Sequence, residues 1–297
     1  MQNPVLTGQE AAVKVITNDR PKALEKLRNE VASLHRVKEC GAVVRCQATF
    51  QDPENLYLVM ELCHGSDLDN VFKTQGRLSE LGTARVAYEC LKVLATCHAN
   101  HIIHGDVKPA NFMLARSYSD PKAAIEGPPL QGAWLKAVDL GGSQVVSGDK
   151  RLTRRSGTPV YMAPEVFTRE YGMEADLWSL GIMSYQLMTG RFPFWESIAA
   201  CPETMEDVMA AVITQKVPFD VDELKRISPM GVDFLQQLLQ TDPAQRISAA
   251  YALEHPWFRE QFGCDSTPAE ASNIVPIPPR CSLLTQQPRS RQRPTVQ

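Results

Sequence analysis

The sequence predicts an α+β fold, on two observations. Apolar runs of strand length, bounded by turn residues, gather in the first 62 residues around one helical stripe. From residue 79 onward helical periodicity dominates, interrupted by a polar loop at 104–111 and two short apolar runs after it. The 297 residues suffice for one large domain or two lobes with a sizeable core.

Each element has its own signal. After a Thr7-Gly8 turn, Ala11-Ala12-Val13-Lys14-Val15-Ile16 reads as a strand enclosing one Lys. Such a Lys either snorkels from a strand end, the commoner case, or is held by a partner. Residues 22–37 offer one: Ala23, Leu24, Leu27, Val31, Leu34 and Val37 mark a helical face, and Glu30 lies beside it. Residues 43–50 and 56–62 read as strands joined by Gln51-Asp52-Pro53-Glu54-Asn55, a turn-rich link. Residues 79–100 form an amphipathic helix with Ser79 as N-cap and Ala84, Ala87, Tyr88, Leu91, Leu94 and His98 along one face. Short strands are expected at 112–115 and 134–138. The Pro-, Gly-, Ser- and Asp-rich stretch 116–133 between them reads as a surface insertion. Asp176 opens a helix that is apolar on all sides, runs to about Thr189 and is capped by Gly190. A helix of that kind is buried, so Asp176 needs hydrogen-bond partners. Further helices are expected at 205–215, 228–240 and 248–255, with Ser228-Pro229 as a cap and first-turn pair. His255-Pro256-Trp257-Phe258 closes the domain. From Gly263 to the end no periodic apolar face remains, and a disordered tail is expected.

Composition narrows the function. A formal net charge of -3 argues against bulk nucleic-acid binding. The eight cysteines form no Cys-x-x-Cys, which disfavours zinc and dithiol chemistry and suits a reducing compartment. No signal pattern and no apolar run of bilayer length occur, so a cytoplasmic or nuclear monomer without membrane contact is expected.

The chemistry centres on His104-Gly105-Asp106-Val107-Lys108-Pro109-Ala110-Asn111. Phosphoryl transfer needs a carboxylate for a hydroxyl proton, a cation near the phosphate and an amide oxygen for Mg²⁺. Asp106, Lys108 and Asn111 supply that set. The stretch resembles the catalytic loop of protein kinases, with Gly105 where Arg is usual. Asp139-Leu140-Gly141 resembles the family's Asp-Phe-Gly, and Ala163-Pro164-Glu165 matches its Ala-Pro-Glu. Lys108 marks the serine/threonine branch. The stretches 176–194 and 242–258 look most like the calcium/calmodulin-dependent and plant calcium-dependent kinases, although no EF-hand pattern is present.

The resemblance covers roughly residues 5–260 and implies the bilobal protein-kinase fold. A small antiparallel sheet lobe with one helix would span 1–62, and a larger, mostly helical lobe 63–262, with 139–165 as activation segment. It implies a serine/threonine kinase using ATP and Mg²⁺ on a protein substrate. Asp106 would accept or orient the hydroxyl proton, Lys108 would neutralise the γ-phosphate, and Asn111 and Asp139 would hold Mg²⁺. Lys14, fixed by Glu30, would meet the α and β phosphates. Ala12 and Met113 would sandwich the adenine, backbone groups of Glu61 and Cys63 would meet its edge, and Asp67 would lie near the ribose. Asp176 would hold the catalytic-loop backbone, and Arg246 would pair with Glu165.

Three departures modify that expectation. No Gly-x-Gly-x-x-Gly occurs, so the small lobe should lack its first strand and phosphate-covering loop, with weaker nucleotide binding and an open sheet edge. Gly105 removes the Arg that reads an activation-segment phosphate, so phosphorylation of Thr153 or Ser156 should not be a strong on-switch. Ala110 and Gln186 stand where relatives selecting basic peptides often carry Glu. Two other functions remain open: an inactive scaffold binding a protein partner, and a small-molecule phosphotransferase, whose loop the 104–111 stretch also resembles.

Overall fold

The structure is a computed structural model that describes residues 10–17, 21–146, 150–195 and 200–263. The Thr7-Gly8 turn and the expected tail beyond Gly263 lie outside these residues.

The small lobe is a three-stranded antiparallel sheet in the order β1-β3-β2, formed by β1 (Ala11–Thr17), β2 (Cys46–Gln51) and β3 (Asn55–Glu61). Lys14 stands opposite Leu58, and the β2 register shifts between Cys46 and Ala48. Asp52 shapes the hairpin, because its carboxylate accepts the backbone N–H groups of Glu54 and Asn55 and the Tyr57 hydroxyl. Helix α1 (Pro21–Arg36) buries Leu27, Leu34 and Glu30. The opposite sheet face leaves Val13, Val15 and Phe50 exposed. The second strand starts later than the apolar run suggested. Residues 42–44 turn away to bond β6 (Leu135–Ala137) of the large lobe through Val44 N–H to Ala137 O and Ala137 N–H to Ala42 O.

The large lobe packs around α3 (Glu80–Ala99), whose Ser79 cap accepts the Gly82 N–H. Against it lie α6 (Glu174–Thr189), α9 (Ala249–Leu253) and α10 (Pro256–Phe262). Helix α8 (Pro229–Leu238) packs on α6, and α7 (Met205–Thr214) packs on α5 (Pro164–Thr168). Helix α6 is buried almost all round, as its continuous apolar sequence requires. Two small ribbons flank the polar loop: β4 (Ile102–Ile103) with β7 (Gln144–Val145), and β5 (Phe112–Leu114) with β6. Helix α2 (Leu68–Gln75) follows the connection from β3.

The 116–133 insertion has a structure of its own. It contains α4 (Pro121–Glu126), capped by Asp120, with Ile125 fully buried. Arg85 donates to Ile125 O, the Ser79 N–H donates to Glu126 and Gln75 donates to Asp120, so the insertion is bolted onto α2 and α3. Six residues are too few to display a helical period, which hid the helix in the sequence.

Among the described residues no helix is long and apolar enough to cross a membrane.

Candidate active site

Lys14 projects from β1 into the space between the lobes. Its Nζ lies 2.7 Å from Glu30 Oε2 and 3.1 Å from Asp139 Oδ1. Burial pushes the Glu30 carboxyl up to about 7, against the pull of Lys14. Burial would lower the Lys14 pKa, but Glu30 and Asp139 outweigh it and raise the value. Burial likewise works against the charged form of Asp139; Lys14 and the Gly141 N–H prevail and hold its carboxyl below the usual range. Beneath Asp139, Leu140 is buried. Ser143, just beyond, donates to Ser33 Oγ on α1 at 2.7 Å, and both residues are buried.

The 104–111 loop hangs from Asp176. One carboxylate oxygen accepts the His104 N–H at 2.8 Å and lies 2.9 Å from His98 Nε2, while the other accepts the Gly105 N–H at 2.9 Å. Full burial alone would raise the Asp176 pKa, yet these partners hold it below the ordinary carboxylate value. The loop then turns at Gly105, with φ +74°. A Cβ there would stand 2.6 Å from Gly142 O, so glycine permits both the left-handed backbone and the close approach of the Asp139 turn.

Asp106 collects the polar partners. Thr158 Oγ1 donates to its Oδ1 at 2.8 Å, and Lys108 Nζ lies 2.9 Å from its Oδ2. Lys108 also donates to Thr158 Oγ1 at 2.8 Å. Asn111 Nδ2 donates to Asp106 O at 2.7 Å and to Oδ2 at 3.1 Å, which fixes the amide and leaves its oxygen available. Gly157 makes this contact possible, since a Cβ there would meet Gly105 O at 2.5 Å.

A cleft of about 340 Å³ joins these groups, lined by Lys14, Glu30, Asp106, Lys108, Asp139 and Thr158 among others. Asn111 sits one hydrogen bond behind that lining. Ala12, Glu61, Cys63, Asp67 and Met113 lie outside it. Ala12 pairs in register with Met60, and Met113 bridges to Asp67. The Glu61 side chain is taken by Lys136 at 2.7 Å, and Asp67 caps α2 through the Asn70 N–H. Cys63 is buried, which raises its thiol pKa. The lining also includes Lys26, to which the sequence assigned no role.

A family model described as a protein kinase domain matches residues 4–258. CDPK-related kinase 1 of Arabidopsis thaliana is 38% identical over 256 residues, 85% of this chain and 41% of that protein. CDPK-related kinase 7 of the same plant is 37% identical over 257 residues, again 85% and 41%. Calcium-dependent protein kinase 10 of A. thaliana is 35% identical over 245 residues, 82% and 42%.

This chain belongs to the protein kinase domain family.

The kinase domain spans about two fifths of the length of these relatives. Its small sheet with α1, set over a helical lobe, is the bilobal kinase fold. Protein kinases use ATP with Mg²⁺. The donors present suit that ion: the Asn111 amide oxygen faces away from its bonded nitrogen, and Asp139 accepts from Lys14 and Gly141 through Oδ1 alone, which leaves Oδ2. Two hard oxygens complemented by phosphate oxygens match how Mg²⁺ is ordinarily held.

Glu165 of the kinase domain binds Arg246 through both carboxylate oxygens, at 2.5 and 3.1 Å. Arg246 also donates to Gln240 O and Glu174 O and lies over the Trp178 ring. The segment before Glu165 is held by its own contacts. Arg151 pairs with Glu174, Leu152 and Tyr171 exchange backbone bonds, the Tyr171 hydroxyl donates to Arg154 O, and Arg155 donates to Phe167 O. The positions of Thr158 against Asp106, and of Ser33 against Ser143, were not readable from sequence. Each hydroxyl meets a partner 52 or 110 residues away, and a local pattern carries no such information.

Proposed function

We propose that this domain is an active serine/threonine kinase that transfers the γ-phosphoryl group of ATP to a protein Ser or Thr hydroxyl. The observation that carries this reading is the Asp106 carboxylate, which accepts a hydrogen bond from the Thr158 hydroxyl while the Lys108 ammonium touches both groups. An acceptor Ser or Thr finds the same two groups waiting. As its oxygen bonds to phosphorus, the bond from phosphorus to the bridging oxygen breaks, ADP leaves and the hydroxyl proton passes to Asp106. Lys108 offsets the charge on the moving phosphoryl group. Lys14, oriented by Glu30, holds the phosphates that remain. Bound between Asn111 and Asp139, Mg²⁺ would supply charge neutralisation at those phosphates. The protein contributes mainly position and a prepared field. Within the described residues the whole polar set is intact, and nothing favours the scaffold reading.

The test is phosphate transfer from labelled MgATP to a Ser/Thr peptide mixture. Wild type should transfer, and Asp106→Asn should lose about 10²- to 10⁴-fold in kcat while keeping its melting temperature. No transfer by wild type to any peptide would sink the proposal. Near-full activity in Asp106→Asn would sink the role of Asp106. We further propose that the domain is a monomer, which light scattering on a size-exclusion peak checks.

A further inference from the structure

We propose that the substrate carries an anionic side chain beside its acceptor Ser or Thr, recognised by Arg155 with Arg154 next to it. This rests on the kinase reading above and adds the class of peptide. Gly157 is pressed against the catalytic loop: a Cβ there would lie 2.5 Å from Gly105 O and 3.7 Å from Asp106 Oδ1. Arg155 is two residues away, so its backbone stands within about 7 Å of that contact even when fully extended. Its half-buried guanidinium donates to Phe167 O at 2.9 and 3.3 Å, lies 3.6 Å from Met209 Sδ and covers the Phe167 ring. A carbonyl, a thioether and a ring leave its charge unneutralised, and among the described residues no carboxylate lies within ion-pair distance of it. Arg154 is exposed and equally without an ion pair among them. Arg151, just upstream, differs in being paired with Glu174.

The carboxylates at the catalytic loop and its supports are committed, whereas Glu170 and Glu206 further out are exposed and without an ion pair among the described residues. Asp106 is held by Thr158, Lys108 and Asn111, Asp139 by Lys14, Glu165 by Arg246 and Asp69 by Lys73. Asp67 caps α2, and Asp176 is buried under the loop. Ala110 has no charge to offer, and the Gln186 amide oxygen accepts the Tyr161 hydroxyl at 2.7 Å. A basic peptide side chain therefore finds no free carboxylate at the catalytic loop itself, whereas an anionic one meets a guanidinium with unused donors. An unpaired cation in a partly desolvated setting gains more from a counter-ion than one in open water.

The experiment uses the full chain, MgATP and alanine-rich peptides with one Ser acceptor. Glu, phosphoserine, Ala or Lys is placed at each neighbouring position in turn. At one or two positions, Glu or phosphoserine should raise kcat/KM about tenfold over Ala, mainly through KM. The advantage should shrink as salt rises from about 0.05 to 0.5 M. Equal gains from Glu and phosphoserine identify acidic residues as the partner. A much larger gain from phosphoserine identifies a previously phosphorylated substrate, and either outcome supports the inference. Arg155→Gln should bring the Glu-to-Ala ratio towards one, Arg155→Glu should favour Lys, and the exposed Arg154→Gln should give a smaller loss. Transfer to the Ala peptide without preference for an anion overturns this inference and leaves the kinase reading intact. A preference for Lys in wild type, or a Glu preference that survives Arg154→Gln with Arg155→Gln, does the same. No transfer to any peptide overturns both.

Discussion

Asp176 holds the loop backbone with a charge buried inside an apolar helix, which ties its contribution to pH. Its folded pKa lies below the ordinary 3.8, so the unfolded chain binds its proton first. The stability it confers is complete above that value and fades as pH falls through the folded pKa. Asp176→Asn should cost about 2–4 kcal/mol at pH 7, and the gap to wild type should narrow in urea melts below about pH 4. A gap of constant size across pH would contradict the charged role. Gly105 makes a sharper case. Gly105→Ala forces a Cβ onto Gly142 O and a side chain into a left-handed backbone, so it should destabilise by about 1–2 kcal/mol or more. It should also reduce kcat, because the displaced turn carries Asp139. Equal melting temperatures and rates would show that the approach is loose. At this scale the sequence marked Lys14, Glu30, Asp106, Lys108, Asn111 and Asp139 by residue type and order. It left Thr158, Ser33 and Ser143 unmarked, because a hydroxyl says nothing of its partner until the chain folds.

The elements divide by length. Helices α1, α3 and α6 run sixteen, twenty and sixteen residues; the periodic faces of α1 and α3 and the long apolar run of α6 placed them within a residue or two. Helices α2, α4 and α5 and the two-residue strands β4 and β7 were missed, being too short to show a period. The strand expected from Val43 begins only at Cys46 for another reason: residues 42–44 serve β6 rather than the sheet. Helix α4 yields a prediction of its own. Ile125 is fully buried against the base of the large lobe, so Ile125→Ala should cost about 2–4 kcal/mol in urea melts. The KM for ATP should hardly move, since α4 touches α2 and α3 and not the cleft. An unchanged urea midpoint would show that Ile125 is not packed against the large lobe.

Across the whole molecule, Lys14 and Glu30 belong to the small lobe and Asp139 to the large one, and the three meet at 2.7–3.1 Å. A ligand that binds there joins the lobes and should stabilise both. Millimolar MgATP at about 100 times its Kd adds about 2.7 kcal/mol, which for a chain of this length raises the melting temperature by about 4–5 °C. Asp139→Asn should abolish the shift. Its persistence in that variant would move the binding site elsewhere. The arrangement of lobes was legible because strands precede helices with little mixing, whereas their contact through Ala137 and Lys14 depends on pairings over long separations. The segment running to Glu165 has a consequence beyond its shape. Arg151, Leu152, Arg155 and Tyr171 fasten it through an ion pair and hydrogen bonds, so phosphorylation of Thr153 or Ser156 should raise kcat little, and a large gain on stoichiometric phosphorylation would overturn that expectation. Under that expectation, output is set by the amount of the domain rather than by a phosphate on this segment.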